Sequence, residues 1–301
     1  MLRLGTRGSP LARAQADIVR RALEDRHPGL RVDVVVIRTS GDRTDRGPLA
    51  PAGLKGLFVK EIEEALVAGD VDLGVHSMKD MPAHLAPGLV IGAVPARAPA
   101  HEVLIRVGEG GIEGLAPGAR VGTSSVRRRA QLLARRRDLD VIPLRGNVDT
   151  RLRRWREGAV EAILLAAAGL ERLGIVEPRA RALPVEEFLP PVGQGALALE
   201  CREGDEVTRR LLAAVEEAAA AAAVAAERAF LAGIGGDCNT PLAAHATVAG
   251  GRVTLRAMVT DLDGTRWLED HEAAPVERAD ALGRALAGRL LAAGAADILG
   301  R

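Results

Sequence analysis

Twice in this chain a short apolar strand runs into a glycine and a threonine and then turns, across a serine, into a helix. The first passage is Leu2-Arg3-Leu4-Gly5-Thr6-Arg7-Gly8-Ser9-Pro10, followed by helical spacing from Leu11 to Glu24. The second is Arg120-Val121-Gly122-Thr123-Ser124-Ser125, followed by Val126 to Arg136. A hydroxyl just ahead of the first apolar-periodic residue caps a helix, here Thr6 or Ser9, and Pro10 has the backbone angle that a first turn needs. Ala14-Gln15 in the first helix returns as Ala130-Gln131 in the second. Such a repeat predicts two similar α/β domains facing a shared cleft, each with a helix N-terminus at the end of a strand.

The rest of the chain extends this pattern. Arg31 to Ile37, Leu89 to Val94, Val103 to Val107, Val141 to Leu144, Ala162 to Ala166 and Ala196 to Glu200 have strand spacing, and Phe58 to Ala68 places Phe58, Ile62, Ala65 and Leu66 on one helical face. Gly41 to Gly56 is rich in proline, glycine and charge and has no period, so a mobile loop is expected there. Pro95 to Pro99 and Leu189-Pro190-Pro191-Val192-Gly193-Gln194-Gly195 punctuate the chain as two crossings between domains. Beyond them a long helix is predicted over Val207 to Ala232. Strands at Leu242 to Val248, Arg252 to Val259 and Thr265 to Glu269 follow, and then a helix from Val276 to Ala293, which together make a third, α+β domain. The expected domains are 1–96 with 191–212, 97–190, and 213–301.

The chemistry gathers at strand ends. Val71-Asp72-Leu73-Gly74-Val75 alternates as a strand, and His76-Ser77-Met78-Lys79-Asp80 follows before Met81-Pro82 stops regular structure. Asp80 is the candidate working carboxylate, although a polar cluster after a strand is also what an ordinary loop looks like. The chain has only three lysines, Lys55, Lys60 and Lys79, among 41 basic residues, and two of them flank this region at Lys55 and Lys79. A compact ammonium there suits a different task from a planar guanidinium. Arginine recurs just beyond strand ends at Arg127, Arg128, Arg145, Arg151 and Arg172, and with Thr123-Ser124-Ser125 at a helix N-terminus this describes an anion-lined cleft. Arg135 to Arg137, by contrast, reads as solvated surface.

Composition removes other classes. Forty-one basic against forty acidic residues give a formal charge of +1, so no global field draws nucleic acid. With three phenylalanines, two tryptophans and no tyrosine there is little to stack bases. No stretch predicts a membrane span or an export signal, so cytoplasmic, reduced thiols are expected at Cys201 and Cys238. Cys238, between Gly235-Gly236-Asp237 and Asn239-Thr240-Pro241, sits in a shaped turn that suits a reactive thiol as well as a buried one, and no Cys/His set surrounds it to hold a metal.

Six ordered segments resemble the porphobilinogen deaminase family of tetrapyrrole biosynthesis, nearly end to end. They are Thr6-Arg7-Gly8-Ser9-Pro10-Leu11-Ala12, Lys55-Gly56-Leu57-Phe58-Val59-Lys60-Glu61, Val75-His76-Ser77-Met78-Lys79-Asp80, Val121-Gly122-Thr123-Ser124-Ser125, Leu144-Arg145-Gly146-Asn147 and Val192-Gly193-Gln194-Gly195-Ala196. The resemblance implies two domains of periplasmic-binding-protein type facing a cleft, plus a small α+β C-terminal domain with a three-stranded antiparallel sheet. It implies a transferase that condenses four porphobilinogen molecules head to tail with release of ammonia, on a dipyrromethane cofactor joined by a thioether to Cys238. Asp80 looks like the catalytic carboxylate. Arg7, Ser9, Lys55, Phe58, Ser77, Lys79, Thr123, Ser124, Ser125, Arg127, Arg128, Arg145, Gly146, Arg151, Arg172 and Gln194 look like cofactor and substrate binders. A monomer that passes its product to uroporphyrinogen-III synthase is the family expectation. Asp237 stands where the family commonly has glycine, and Pro51 where it often has a basic residue. The competing expectation is a non-catalytic two-domain binding protein for a small carboxylated ligand.

Overall fold

The computed structural model of the chain describes residues 1–39, 59–237 and 239–300. They fall into two compact units, Met1–Ala98 with Gly195–Ala221, and Pro99–Gln194 with Ala222–Arg301. The loop expected over residues 41–56 lies outside the described residues.

In the first unit the strands are β1 (Leu2–Arg7), β2 (Val32–Ile37), β3 (Leu73–Ser77), β4 (Leu89–Ala93) and, from far along the chain, β10 (Leu197–Arg202). Among the described residues they form a sheet in the order β2-β1-β3-β10-β4. β1 pairs in parallel with β2 and β3, and β10 runs antiparallel to both β3 and β4. Helix α1 (Pro10–Arg26) turns Ala12, Gln15, Ala16, Val19 and Leu23 inward, the spacing of one helical face, onto Leu2, Leu4, Leu73 and Val75. Helix α2 (Lys60–Ala68) packs Ile62 and Leu66 with Val71 and Leu89 in a separate cluster. β3 therefore has layers on both faces, as its uninterrupted burial requires.

The second unit repeats the plan. Its strands are β5 (Glu102–Arg106), β6 (Arg120–Gly122), β7 (Asp140–Ile142), β8 (Ala162–Ala166) and β9 (Ala180–Leu183), in the order β7-β6-β8-β5-β9. β6 pairs in parallel with β7 and β8, and β5 runs antiparallel to β8 and β9. Strand for strand this is the order and sense of the first sheet, so the short repeat seen in the sequence is a repeat of topology. Helices α3 (Val126–Arg135), α4 (Val148–Arg156) and α5 (Ala167–Arg172) connect the strands.

Helix α6 (Glu206–Ala213) packs on β4 and β10 and buries Leu212 in the first core, and α7 (Ala218–Gly233) follows. The single long helix expected over Val207 to Ala232 is thus two. The Glu217 carboxylate accepts hydrogen bonds from the N–H groups of Ala219 and Ala220, starting a new helix where the alanine-rich sequence shows no stop. The C-terminal sheet is β11 (Leu242–Ala249), β12 (Arg252–Thr260) and β13 (Trp267–Pro275), all antiparallel, covered by α8 (Ala279–Ala292), with α9 (Ala295–Ile298) closing the chain. β13 runs six residues beyond the predicted Glu269, because it pairs with β12 along its whole length and its polar residues hide a strand period. At the β12–β13 turn Gly264, at φ +66, lies so close to α3 that a Cβ would sit 2.2 Å from the Ala130 carbonyl oxygen.

Across the strand edge of the first unit the Asp72 carboxylate accepts from the Arg3 backbone N–H at 2.9 Å, from Arg3 Nη2 at 2.6 Å and from Arg202 Nη2 at 3.2 Å. Burial pushes the Asp72 carboxyl up, but the hydrogen bonds and charge of Arg3, with Arg202, outweigh it and hold it below the usual carboxylate range. A lowered folded value gives stability that is present above the unfolded value and lost as pH falls through the folded one. Asp72→Asn should therefore cost about 1–2 kcal/mol at neutral pH, and the deficit should close in acid. Urea unfolding of both proteins at neutral and acid pH measures this, and a pH-independent deficit would count against the ion pair as its source.

Candidate active site

At the C-terminal edge of the first sheet, β1 and β3 end side by side. Ser9 caps α1 by accepting the Ala12 N–H at 3.2 Å, while the Thr6 hydroxyl donates to the Ala12 carbonyl at 3.1 Å. Arg7 and Ser9 are half-buried there. β3 delivers Ser77, which exchanges hydrogen bonds with Gln15 of α1 at 2.8 and 3.3 Å. A single 3₁₀ turn, Met78–Asp80, follows, anchored by the Met78 N–H on the Ala196 carbonyl at 3.0 Å. Met78 is buried, Lys79 half-buried and Asp80 exposed, so one apolar side chain seats the turn and presents the carboxylate to solvent. A strand tip fixed from two sides, with a carboxylate at its end, is what proton transfer to a bound ligand needs.

A buried polar set underlies that tip. His76 Nε2 lies 3.0 Å from a Glu200 carboxylate oxygen, close enough for an ion pair although the angle departs from that of a hydrogen bond, and both side chains are buried. Gly74 makes room, since a Cβ there would sit 2.9 Å from His76 Nε2. From α2, Glu63 faces the same set. Burial, then the negative charge of Glu200, hold its carboxyl above its usual range, with the Ala86 N–H and His76 opposing.

In the second unit the equivalent corner is made of arginine. Ser125 caps α3 through the Arg128 N–H at 3.4 Å, and the Thr123 hydroxyl accepts the Ser125 N–H at 3.2 Å, with Ser124 exposed beside them. Arg127 and Arg128, the next turn, are only 4% and 6% exposed. Arg127 pairs with Glu102 and donates to the Leu189 carbonyl at 2.7 Å. Arg128 holds both Glu102 oxygens at 2.7 and 3.1 Å and donates to the Leu164 carbonyl at 2.9 Å. Burial pushes the Arg127 guanidinium down to about 10, with Glu102 opposing and Arg128 adding to the push, so it remains charged at neutral pH. Two buried cations face one buried carboxylate, which leaves a local excess of one positive charge, and these bonds leave N–H donors of both guanidiniums unspent. A surplus of positive charge with donors to spare is the chemistry that would attract an anion.

Other predicted binders lie around this corner with less constraint. Arg145 is exposed after β7, and Gly146, at φ +112, passes Thr150 so closely that a Cβ would lie 2.8 Å from its methyl carbon. Arg151 is half-buried on α4, and burial pushes the half-buried Arg172 guanidinium below its usual value, with Glu171 opposing. Gln194 is buried and donates to the Ala100 carbonyl at 2.7 Å. Lys55, Phe58, Pro51 and Cys238 lie outside the described residues. Next to Cys238, the Asp237 carboxylate accepts from the Asn239 N–H and the Thr240 hydroxyl, each at 3.0 Å, so its charge is engaged in the turn itself. Arg136, expected to be solvated, instead donates to the Ile112, Glu113 and Leu115 carbonyls as well as to Asp138. Sequence reasoning missed Glu102, Glu200, the pairing of Gln15 with Ser77, and Gln131, which donates to the Leu189 carbonyl at 2.9 Å and accepts the Leu189 N–H at 2.8 Å. An acid heading the apolar run Val103-Leu104-Ile105 was the available signal for Glu102.

The fold and site define an α/β protein with two similar strand-to-helix corners, one carrying an exposed carboxylate at a strand tip and the other two buried arginines. The chain belongs to the porphobilinogen deaminase family. The model of the porphobilinogen deaminase dipyrromethane cofactor binding domain matches residues 2–210, and that of its C-terminal domain matches residues 221–292. A porphobilinogen deaminase of Syntrophotalea carbinolica is 52% identical over 99% of this chain and 95% of its own length. One of Desulforudis audaxviator is 49% identical over 99% and 96%. Among solved structures, a periplasmic substrate-binding protein of an ABC transporter from Coxiella burnetii covers 71% of this chain and 92% of its own, at 16% identity and TM-score 0.42. The VFT2 domain of Bordetella pertussis BvgS covers 71% and 85%, at 15% identity and TM-score 0.44.

Removing one member of a buried polar contact strands the other. His76→Leu is expected to destabilise the protein by about 1–3 kcal/mol, and the double variant His76→Leu/Glu200→Leu should recover most of that loss. Denaturant unfolding of the two single variants and the double variant measures the coupling, and purely additive losses would show that His76 and Glu200 do not act as a pair.

Proposed function

We infer that this chain is a hydroxymethylbilane synthase, a transferase of tetrapyrrole biosynthesis that joins four porphobilinogen molecules head to tail with loss of ammonia and hydrolyses off the linear product. Both family models match in order, so the Asp80 tip falls within the cofactor-binding domain and Cys238 within the C-terminal domain, and this match carries the reading. When bound, dipyrromethane supplies a covalently held primer to which substrate rings are added. We assign its attachment to Cys238 by a thioether, because Cys238 matches the family's cofactor-bearing cysteine by position, although Asp237 stands where the family commonly has glycine.

The residues then divide the work. In the substrate the aminomethyl nitrogen, protonated to an ammonium, leaves as ammonia with the electron pair of its bond to carbon, and a methylene-pyrrole cation remains. Exposed Asp80 stabilises that charge and takes the α-proton from the ring that attacks it, so one carboxylate serves both moments without a metal. Ser77, at the end of β3 and positioned by Gln15, and Lys79, on the turn itself, precede Asp80. Arg127, Arg128 and the Thr123–Ser125 hydroxyls bind carboxylate arms, charge-assisted and partly bidentate, with Arg7, Ser9, Lys55, Phe58, Arg145, Gly146, Arg151, Arg172 and Gln194 completing the set. A cytoplasmic monomer that passes its product to uroporphyrinogen-III synthase completes the reading. Buried Cys201, whose thiol burial pushes up to about 11, suits a reducing compartment.

Asp80→Asn should fold, retain the primer and lose about 10²-fold or more in turnover, with near-normal turnover overturning the assignment. Intact mass of the protein after exposure to porphobilinogen, with peptide mapping, should show two porphobilinogen units less two ammonias on Cys238. Cys238→Ser should gain no mass, and an adduct mapped elsewhere would move the attachment site.

A further inference from the structure

The two units build the same corner from different residues. Ser77 and Ala166 are the last residues of β3 and β8, and across the antiparallel pairing they face Leu197 and Glu102 respectively. Counting from the capping serines, Ser9 and Ser125, Leu11 and Ala12 take the places of Arg127 and Arg128, and Gln15 the place of Gln131. Where the first unit fills the corner with Leu197, Leu11 and Ala12, the second buries a carboxylate and two guanidiniums.

The architecture therefore does not require the ions. A buried ion cluster is no more stable than a well-packed apolar one of similar volume, so the charged version has no structural advantage to explain it. Two adjacent guanidiniums on one helical turn, buried beside the positive end of that helix, repel one another unless something holds them. Glu102 does so from the neighbouring strand. It engages both, and fixes Arg128 through two oxygens in a planar fork. The excess of one positive charge that remains is aimed by carbonyls too, those of Leu164 and Leu189.

We propose that Glu102 is a positioning residue of the reaction: it orients Arg127 and Arg128 into a single subsite for a carboxylate arm of porphobilinogen or of the growing chain, and sets the charge of that subsite to accept one anion. The proposal rests on the reading of Arg127 and Arg128 as carboxylate binders. Glu102 itself touches no substrate; it acts through the two arginines, and its loss should weaken binding without altering the proton transfer at Asp80.

The test compares Glu102→Gln and Glu102→Asp with the parent as holoenzymes, the primer content of each verified by intact mass. For Glu102→Gln, KM for porphobilinogen should rise about tenfold to a hundredfold, the worth of a charge-assisted hydrogen bond, with kcat within about threefold of the parent. Glu102→Asp, which keeps the charge, should recover most of that loss. A lower Tm with unchanged KM would make Glu102 merely structural and overturn the proposal. If Glu102→Gln fails to fold, Glu102→Asp decides alone: a KM raised by a few-fold at unchanged kcat supports positioning, and an unchanged KM overturns it. Arg127→Leu and Arg128→Leu separate the two levels. If both keep the parent KM and load the primer, the carboxylate reading of the arginines fails; if they lose binding while Glu102→Gln does not, only the role of Glu102 fails.

Discussion

The antiparallel pairing of β10 with β3 is the constraint on which the half that carries Asp80 depends. It joins residues more than a hundred positions apart, setting Leu197 against Ser77 and Ala198 against His76, and it continues into the Met78 N–H on the Ala196 carbonyl. The turn that ends in Asp80 is therefore held by a segment that follows all five strands of the second sheet in the chain. A slip of one residue would turn every side chain of β3 to the opposite face. It would bring His76 and Glu200, now paired, onto opposite sides of the sheet.

β5 serves the second unit as β10 serves the first. Each sheet takes its fourth strand from across a crossing of the chain, antiparallel to the strand on either side. That shared plan lets the two units specialise at one place. The first ends β3 in a polar turn and packs its helix corner with leucine and alanine, leaving a carboxylate at the edge. The second ends β8 in small apolar residues, Ala166-Ala167-Ala168-Gly169, and loads the helix corner with charge. The exposed carboxylate of Asp80 and the buried pair Arg127 and Arg128 thus stand on separate copies of one architecture.

Three features visible along the chain carried most of the fold: strand alternation, serine caps and the Gly-Thr repeat. These are local signals, encoded within a turn or a strand, and local physics reproduces them. The position of Asp80 just beyond a strand end was legible because the apolar alternation of Val71 to Val75 stops directly before the polar cluster. Missed features share one cause. The break at Glu217 is made by a side-chain cap within a run of alanines whose propensity favours one continuous helix. β13 is polar at most positions and becomes a strand only because β12 offers it a partner. Arg136 looks like surface until three backbone carbonyls surround it.

The sequence by itself determined the family, the two-unit α/β plan, the strand tip bearing Asp80 and the arginine-rich helix start, since each is written in neighbouring residues or in motifs of fixed order. Only the tertiary structure decided that Arg127 and Arg128 are buried rather than solvated, that Glu102 from another strand holds them, and that His76 meets Glu200. Charge shows in a sequence, but whether a charge is in water or paired in a low-dielectric interior depends on partners brought in by long-range strand pairing, and no local pattern specifies those.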